Sequence, residues 1–249
     1  MVLAAGLGTR MRRAAEAAGL SEAQQAAAGR GLKAMIPVGR PFLDYVLSGL
    51  ADAGYARVCL VIGGGEAHGE IRRYYSGSGQ PTRVALEFAV QRWPLGTADA
   101  VLAAEPFAAG EPVVVLNADN LYPRQALAAL RGLPRAGLLG FRRSTLLRDG
   151  SIPAERITAF ALLEVDPEGE LRRIVEKPNP EEAGSFGPDP WVSMNAWLLP
   201  PTIYAACRAI RPSPRGELEL QDAVRHSIEL LGERYRVLPA EQAVLDLSI

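Results

Sequence analysis

Short apolar runs separated by stretches of helical periodicity constrain this chain more than any other feature. Val2–Ala5, Val58–Ile62, Val84–Val90 and Val113–Leu116 read as strands. Between them, Pro41–Ala53 places Phe42, Leu43, Val46, Leu47 and Leu50 on one helical face, and Thr97–Ala104 reads as a further helix. Val113–Leu116 has no polar alternation, the pattern of a parallel strand buried on both faces. The alternation predicts an α/β fold with a mixed, mostly parallel central sheet flanked by helices. The second half changes character. Ile157–Val165 and Glu170–Glu176 flank the turn sequence Asp166-Pro167-Glu168-Gly169 and predict a hairpin. Trp191–Leu199 follows as a strand, then helices Pro201–Ile210 and Gly216–Leu231, then short strands Tyr235–Leu238 and Gln242–Leu245. These predict a small antiparallel elaboration on the C-terminal side. No Ser/Gly-rich linker interrupts the chain, so residues 1–249 read as a single domain. Met11–Gly29 is Ala-rich and broken by Gly19, with Ser21 and Gln24 spaced as a capping box, which predicts an inserted helical hairpin. A surface lid and a passive insertion suit it equally.

Composition narrows the function classes. Lys+Arg number 27 and Asp+Glu 28, without the basic excess a broad nucleic-acid surface needs. No run approaches the ~18–20 apolar residues of a membrane span, and Met1–Ala5 lacks the basic start of a signal peptide. The expectation is a cytoplasmic protein with no nucleic-acid or membrane partner. Two cysteines, Cys59 and Cys207, make no disulfide framework, and Cys59 reads as a small buried hydrophobe. With two histidines, His68 and His226, and no CxxC or HExxH, neither a zinc site nor a Ser-His-Asp triad has its parts in a recognisable setting.

Several segments carry chemistry. Leu3-Ala4-Ala5-Gly6-Leu7-Gly8-Thr9-Arg10 runs from a strand into a loop of small residues whose N–H groups can cradle phosphate, with Arg10 as a permanent donor. It is neither a Walker A loop nor a dinucleotide fingerprint, because no GK[ST] follows and Met11 stands where the third glycine would be. A plain glycine turn with a solvated arginine is the bland alternative. Lys33 precedes an apolar strandlet and can send its ammonium into a site, although taken alone it reads as a surface lysine. Gln91 offers an acceptor and two donors suited to a base edge, and Gly96-Thr97 opens a helix; an ordinary turn and N-cap is the alternative. Asp119 lies just past Val113–Leu116, at the carboxyl edge where open α/β sheets bind ligands, a fitting oxygen ligand for a phosphate-bridging metal. It also reads as a helix-capping loop residue. Lys177, in Glu176-Lys177-Pro178, can charge-balance a phosphate or simply end a hairpin. Asn195 is a polar residue in an apolar strand and needs a partner if buried. Asp246 ends a strand close to the chain's last residue, where fraying is the alternative.

Taken in order, from Leu3 to Asp246, these segments resemble the sugar-1-phosphate nucleotidylyltransferases with their Rossmann-like nucleotidyltransferase fold. The resemblance implies a nucleotide-binding part over about 1–135 and a sugar-phosphate-binding part over about 136–249. It assigns Leu3, Ala4, Ala5, Gly6, Gly8, Thr9, Gln91, Gly96 and Thr97 to the nucleotide. Arg10 and Lys33 go to the triphosphate and Lys177 to the sugar phosphate. Glu176, Ala161 and Asn195 contact the sugar, and Asp119 and Asp246 hold Mg²⁺. Gly216-Glu217-Leu218-Glu219-Leu220-Gln221-Asp222 resembles the family's G-E-x-x-L-x-D helix start. The implied reaction joins an NTP to a sugar 1-phosphate, releasing pyrophosphate. Gln91 favours UTP or dTTP, while Trp93 with Gly96–Val101 also resembles the ATP-using branch, and GTP stays open, as does a homo-oligomer. The chain departs from the pattern at Leu32, where proline usually precedes the lysine, in the long Met11–Leu32 spacer and at Ala161. Asp246 lacks the usual tryptophan and glycine, which makes Asp222 the fallback ligand. A non-catalytic nucleotide- or sugar-phosphate-binding module on the same fold is the principal alternative. An NAD-type dehydrogenase is a further one, opposed by Met11 and Arg10.

Overall fold

All four apolar runs of the first half become strands of one sheet in the computed structural model, which describes residues 1–6, 21–149 and 152–247. Gly8, Thr9, Arg10 and the first part of the expected helical hairpin lie outside the described residues. In chain order the strands are β1 (Val2–Ala4), β2 (Pro37–Val38), β3 (Arg40–Pro41), β4 (Arg57–Gly63), β5 (Ala85–Gln91), β6 (Val113–Asn117) and β7 (Asn120–Leu121). They continue as β8 (Gly137–Arg142), β9 (Ala161–Val165), β10 (Leu171–Val175), β11 (Trp191–Leu199), β12 (Arg236–Ala240) and β13 (Leu245–Asp246). Among the described residues, nine form a mixed central sheet ordered β10-β9-β11-β6-β1-β4-β5, with β8 on β11 and β12 on β8. The β5-β4-β1-β6 part is parallel, and β11 joins β6 antiparallel. The antiparallel strands thus extend the same sheet.

The sheet carries a core on each face. On β4, Val58, Leu60 and Ile62 join one cluster while Cys59 and Val61 join the other. Burial on both sides is why the run contains no polar residue. Helix Phe42–Asp52 presents Phe42, Leu43, Val46, Leu47 and Leu50 to the first cluster, as its spacing predicts. Each such side chain contributes roughly 1.5–3 kcal/mol. Helix Glu22–Gly29 opens on the expected capping box: Gln24 N donates to Ser21 Oγ and Ser21 N to Gln24 Oε1. Gln24 Nε2 also donates to the Pro37 carbonyl, tying the helix to the small β2–β3 pair. Both cysteines are buried thiols.

One strand pairing and three boundaries differ from the sequence reading. Val113–Leu116 is parallel to β1 only; its other neighbour, β11, is antiparallel. The hairpin's first strand begins at Ala161, because Ala154–Ala159 forms a 3-10 helix whose one buried residue is Ile157. The helix expected from Gly216 begins at Leu220, because Leu218 is drawn into extended pairing: its N donates to Leu95 O and its O accepts from Ala98 N. The final strand is Leu245–Asp246, where Asp246 pairs with Asn120. The sequence reading did not identify helices Glu66–Tyr75, Arg124–Arg131 and Arg143–Asp149, or strand β8. Among the described residues, no helix is long and apolar enough to cross a membrane.

Candidate active site

A cleft of about 450 Å³ opens at the carboxyl ends of β1, β5 and β6. Leu3–Gly6, Lys33, Gln91, Gly96, Thr97 and Asp119 all line it. These residues are separated by up to about a hundred positions in the chain; strand ends bring Leu3–Gly6, Gln91 and Asp119 to one rim, Gly96 and Thr97 open a helix there, and Lys33 opens the 3-10 helix Lys33–Met35 rather than directly preceding a strandlet. Glu217 of the Gly216–Asp222 motif lines it as well, as does Asn117, to which the sequence reading gave no role. Lys33 Nζ sits 3.3 Å from Asp119 Oδ2, each side chain about a quarter exposed.

Gln91 is buried and its orientation is set by acceptors. Its Nε2 donates to the Gly96 carbonyl at 2.8 Å and to Asp99 Oδ2 at 2.9 Å. Neither partner can donate, so the carboxamide can offer a ligand only Oε1. Gly96 has φ +122°, and a Cβ there would meet Leu218 O at 2.4 Å. Glycine is therefore what lets this loop press on Leu218. Leu220 N donates to Thr97 Oγ1 at 2.9 Å, so Thr97 tethers the start of helix Leu220–Leu231.

Asp246 is buried, receives Asn120 Nδ2 at 3.4 Å, and lies 3.6 Å from Arg156 Nη2. Leu247 N donates to the Asp119 carbonyl at 2.9 Å, so β13 brings Asp246 beside Asp119 in the backbone. Burial raises the pKa of Tyr122, with the charges of both aspartates adding to it. Asp119 puts a hard oxygen donor on the cleft rim, the kind a divalent cation takes, whereas the Asp246 side chain is buried against Arg156 and does not line the cleft. Among the described residues, no group of three or more His, Cys, Asp or Glu side chains gathers as a metal cage.

The sugar-phosphate candidates do not line that cleft. Lys177 has φ +47° and Asn195 φ +57°, left-handed conformations that non-glycine residues adopt at a cost of ~1–3 kcal/mol and that cluster at working sites. Lys177 Nζ is 3.7 Å and Arg215 Nη2 3.8 Å from Glu176 Oε1. Arg215, missed by the sequence reading, stands one residue before the Gly216-Glu217 motif and also pairs with Glu219. Asn195 has the partner its polarity demands, receiving Gln221 Nε2 at 2.8 Å. Ala161 is buried opposite Ser193.

Burial raises the Glu176 pKa, with the Lys177 charge pulling it down and Glu219 adding to the rise. The folded protein therefore holds that proton to a higher pH than the unfolded chain, so the penalty is full at neutral pH and fades as pH falls toward 4.5. Glu176→Gln is expected to raise Tm at pH 7, with the gap closing toward pH 4.5. Melting curves of both proteins across that range test it; a lowered Tm at pH 7 contradicts it.

The family model described as Nucleotidyl transferase matches residues 1–242. The glucose-1-phosphate thymidylyltransferase of Streptomyces antibioticus is 30% identical over 237 residues, covering 92% of this chain and 57% of the relative. The glucose-1-phosphate adenylyltransferase of Corynebacterium kroppenstedtii is 28% identical over 209 residues, covering 76% and 48% respectively. The chain thus spans about half the length of the curated relatives it matches. Among solved structures, a UDP-glucose pyrophosphorylase complexed with UDP-glucose superposes with TM-score 0.69 at 18% identity, covering 96% of this chain and 91% of that one, a likeness of fold. The fold, the rim that gathers Gly6, Lys33 and Asp119, and a family match over nearly the whole length agree: this chain belongs to the nucleotidyl transferase family.

Proposed function

We propose that the protein transfers a nucleotidyl group from an NTP to a sugar 1-phosphate, releasing pyrophosphate and an NDP-sugar. The observation that carries this reading is the Lys33–Asp119 contact, at 3.3 Å, inside the cleft that also holds Leu3–Gly6 and Gln91. The attacking phosphate is already largely anionic at pH 7, its second pKa being ~6, so no strong general base is needed. What the reaction needs is alignment of two polyanions and relief of their repulsion. The turn after β1 receives the triphosphate, with Arg10 and Lys33 as its cations, and Lys177 meets the sugar phosphate. Glu176 and Asn195 contact the sugar. Bound Mg²⁺, held by Asp119 and Asp246, would neutralise phosphate charge. Gln91, limited to accepting, can take the N3–H of uracil or thymine but equally an N–H of adenine or guanine, so UTP or dTTP is favoured on the resemblance and not on this geometry. The nucleotide part is about 1–135 and the sugar-phosphate part about 136–249, and soluble substrates of this kind support a cytoplasmic location.

Two measurements test this. Pyrophosphate release from the common NTPs is followed against a panel of sugar 1-phosphates with Mg²⁺; binding without release by any pair would instead favour the non-catalytic module. Lys33 and Lys177 are also the only lysines in the chain. The Met1 amine is shielded by burial and donates to the Val114 carbonyl. Amine acylation read by peptide mass therefore reports on those two side chains. NTP is expected to slow acylation of Lys33 several-fold, and sugar 1-phosphate that of Lys177. Equal labelling with and without ligands contradicts both assignments.

A further inference from the structure

Asn195 lies where the β11 register slips, between Ser193 and Trp197. Its Oδ1 accepts from Trp197 Nε1 at 3.4 Å and from Gln221 Nε2 at 2.8 Å. An indole N–H can only donate, so Oδ1 must face it, and Gln221 must then turn its own nitrogen toward Asn195. Neither amide is free to flip. The arrangement leaves Gln221 Oε1 buried without a hydrogen-bond partner. An orphaned buried acceptor opposes stability, and an apolar side chain of the same length would avoid it. Gln221 is therefore ill-suited to a purely structural role.

None of this trio lines the cleft, but the chain neighbours of two of its members are bonded to residues connected with it. The Tyr122 hydroxyl donates to Met194 O at 2.6 Å and accepts from the N of Asn117, a cleft residue. On the other side, Leu220, adjacent to Gln221, is tethered to Thr97 of the cleft. Among the described residues, the Asn195 Nδ2 hydrogens have no acceptor, and Asn195 is half-buried.

We infer that Gln221 is a positioning residue for sugar recognition: with the Trp197 indole it locks the Asn195 carboxamide so that Nδ2 presents its hydrogens to a sugar hydroxyl. This rests on the reading of Asn195 as a sugar contact in nucleotidyl transfer. Gln221→Met keeps the length and removes both the lock and the orphaned acceptor. The expected result is a KM for glucose 1-phosphate raised about tenfold, a KM for NTP within twofold of wild type, and an undiminished Tm. A structural role would instead lower Tm and move both KM values together.

A second readout does not depend on turnover. The chain has three tryptophans, so its indole N–H spectrum holds three signals. The Trp197 signal, assigned by Trp197→Phe, is expected to move on adding dTDP-glucose or UDP-glucose and to stay in place with dTDP or UDP. In Gln221→Met the sugar-dependent movement should require about tenfold more ligand. Turnover and NDP-glucose binding with an unmoved Trp197 signal, or with an unaffected Gln221→Met protein, overturn this inference alone. If wild type neither binds an NDP-glucose nor releases pyrophosphate with any pair, the functional reading falls and this inference with it.

Discussion

Asp119→Asn is expected to cut metal-dependent pyrophosphate release by roughly 10³-fold while the protein stays folded, the scale of losing a preorganised charge contact in a transition state. Asparagine keeps the size of the side chain and an acceptor for Lys33, which sits 3.3 Å from Oδ2, so packing changes little. It loses the full negative charge that a divalent cation needs. A pyrophosphate assay across metal concentrations, with a melting curve for each protein, separates the two effects. Activity within tenfold of wild type would remove Asp119 from the metal site. The parallel pair Asp246→Asn and Asp222→Asn identifies the second ligand. Both have an arginine neighbour, Arg156 at 3.6 Å for Asp246 and Arg225 at 3.0 Å for Asp222, but the segment of Asp246 is tied to that of Asp119 through the Leu247–Asp119 backbone bond. Loss in Asp246→Asn with Asp222→Asn near wild type is the expected pattern.

Gly96→Ala is expected to give the largest loss of stability, about 3 kcal/mol or more. Two penalties act together: a left-handed φ of +122° that alanine resists, and a Cβ placed 2.4 Å from Leu218 O and 2.6 Å from its N. Leu218 cannot retreat cheaply, because its N and O are bonded to Leu95 O and Ala98 N. In a chain this size the loss corresponds to a Tm drop of roughly 6–12 °C. Gly29→Ala is the control, since nothing lies within 4 Å of a Cβ there and Gly29 ends a helix. Its substitution is expected to be neutral or slightly stabilising. A Gly96→Ala protein as stable as wild type would mean that the loop and Leu218 can separate freely.

The parts of the fold legible in the sequence are those where one local rule decides. β4 is apolar throughout because both its faces are covered, and the Phe42–Asp52 helix shows its buried stripe at helical spacing. Ser21 and Gln24 cap a helix through contacts three residues apart. β8 was hidden for the opposite reason. Gly137 and Gly140 weaken its strand pattern, yet a Cβ at Gly140 would meet Val237 Cγ1 at 2.5 Å, so the glycine answers to β12, about a hundred residues later. Helix Glu66–Tyr75 was obscured by the three glycines before it and by its polar composition, although His68, Ile71 and Tyr75 are spaced as a buried face.

For the site, Lys33, Gln91, Gly96, Thr97 and Asp119 each have a bland alternative when taken singly, and it is the family resemblance carried by their joint order that marks them; the structure lines one cleft with all five. The partners of those residues were not legible. That Gln91 spends both N–H groups on Gly96 and Asp99, that Asn195 meets Gln221 across 26 residues, and that β13 lays Asp246 beside Asp119 are outcomes of packing. A sequence determines which groups a chain can offer, because that is chemistry carried by each residue. Which hydrogens and lone pairs remain for a ligand depends on what the rest of the chain has already claimed, and only the tertiary structure decides that.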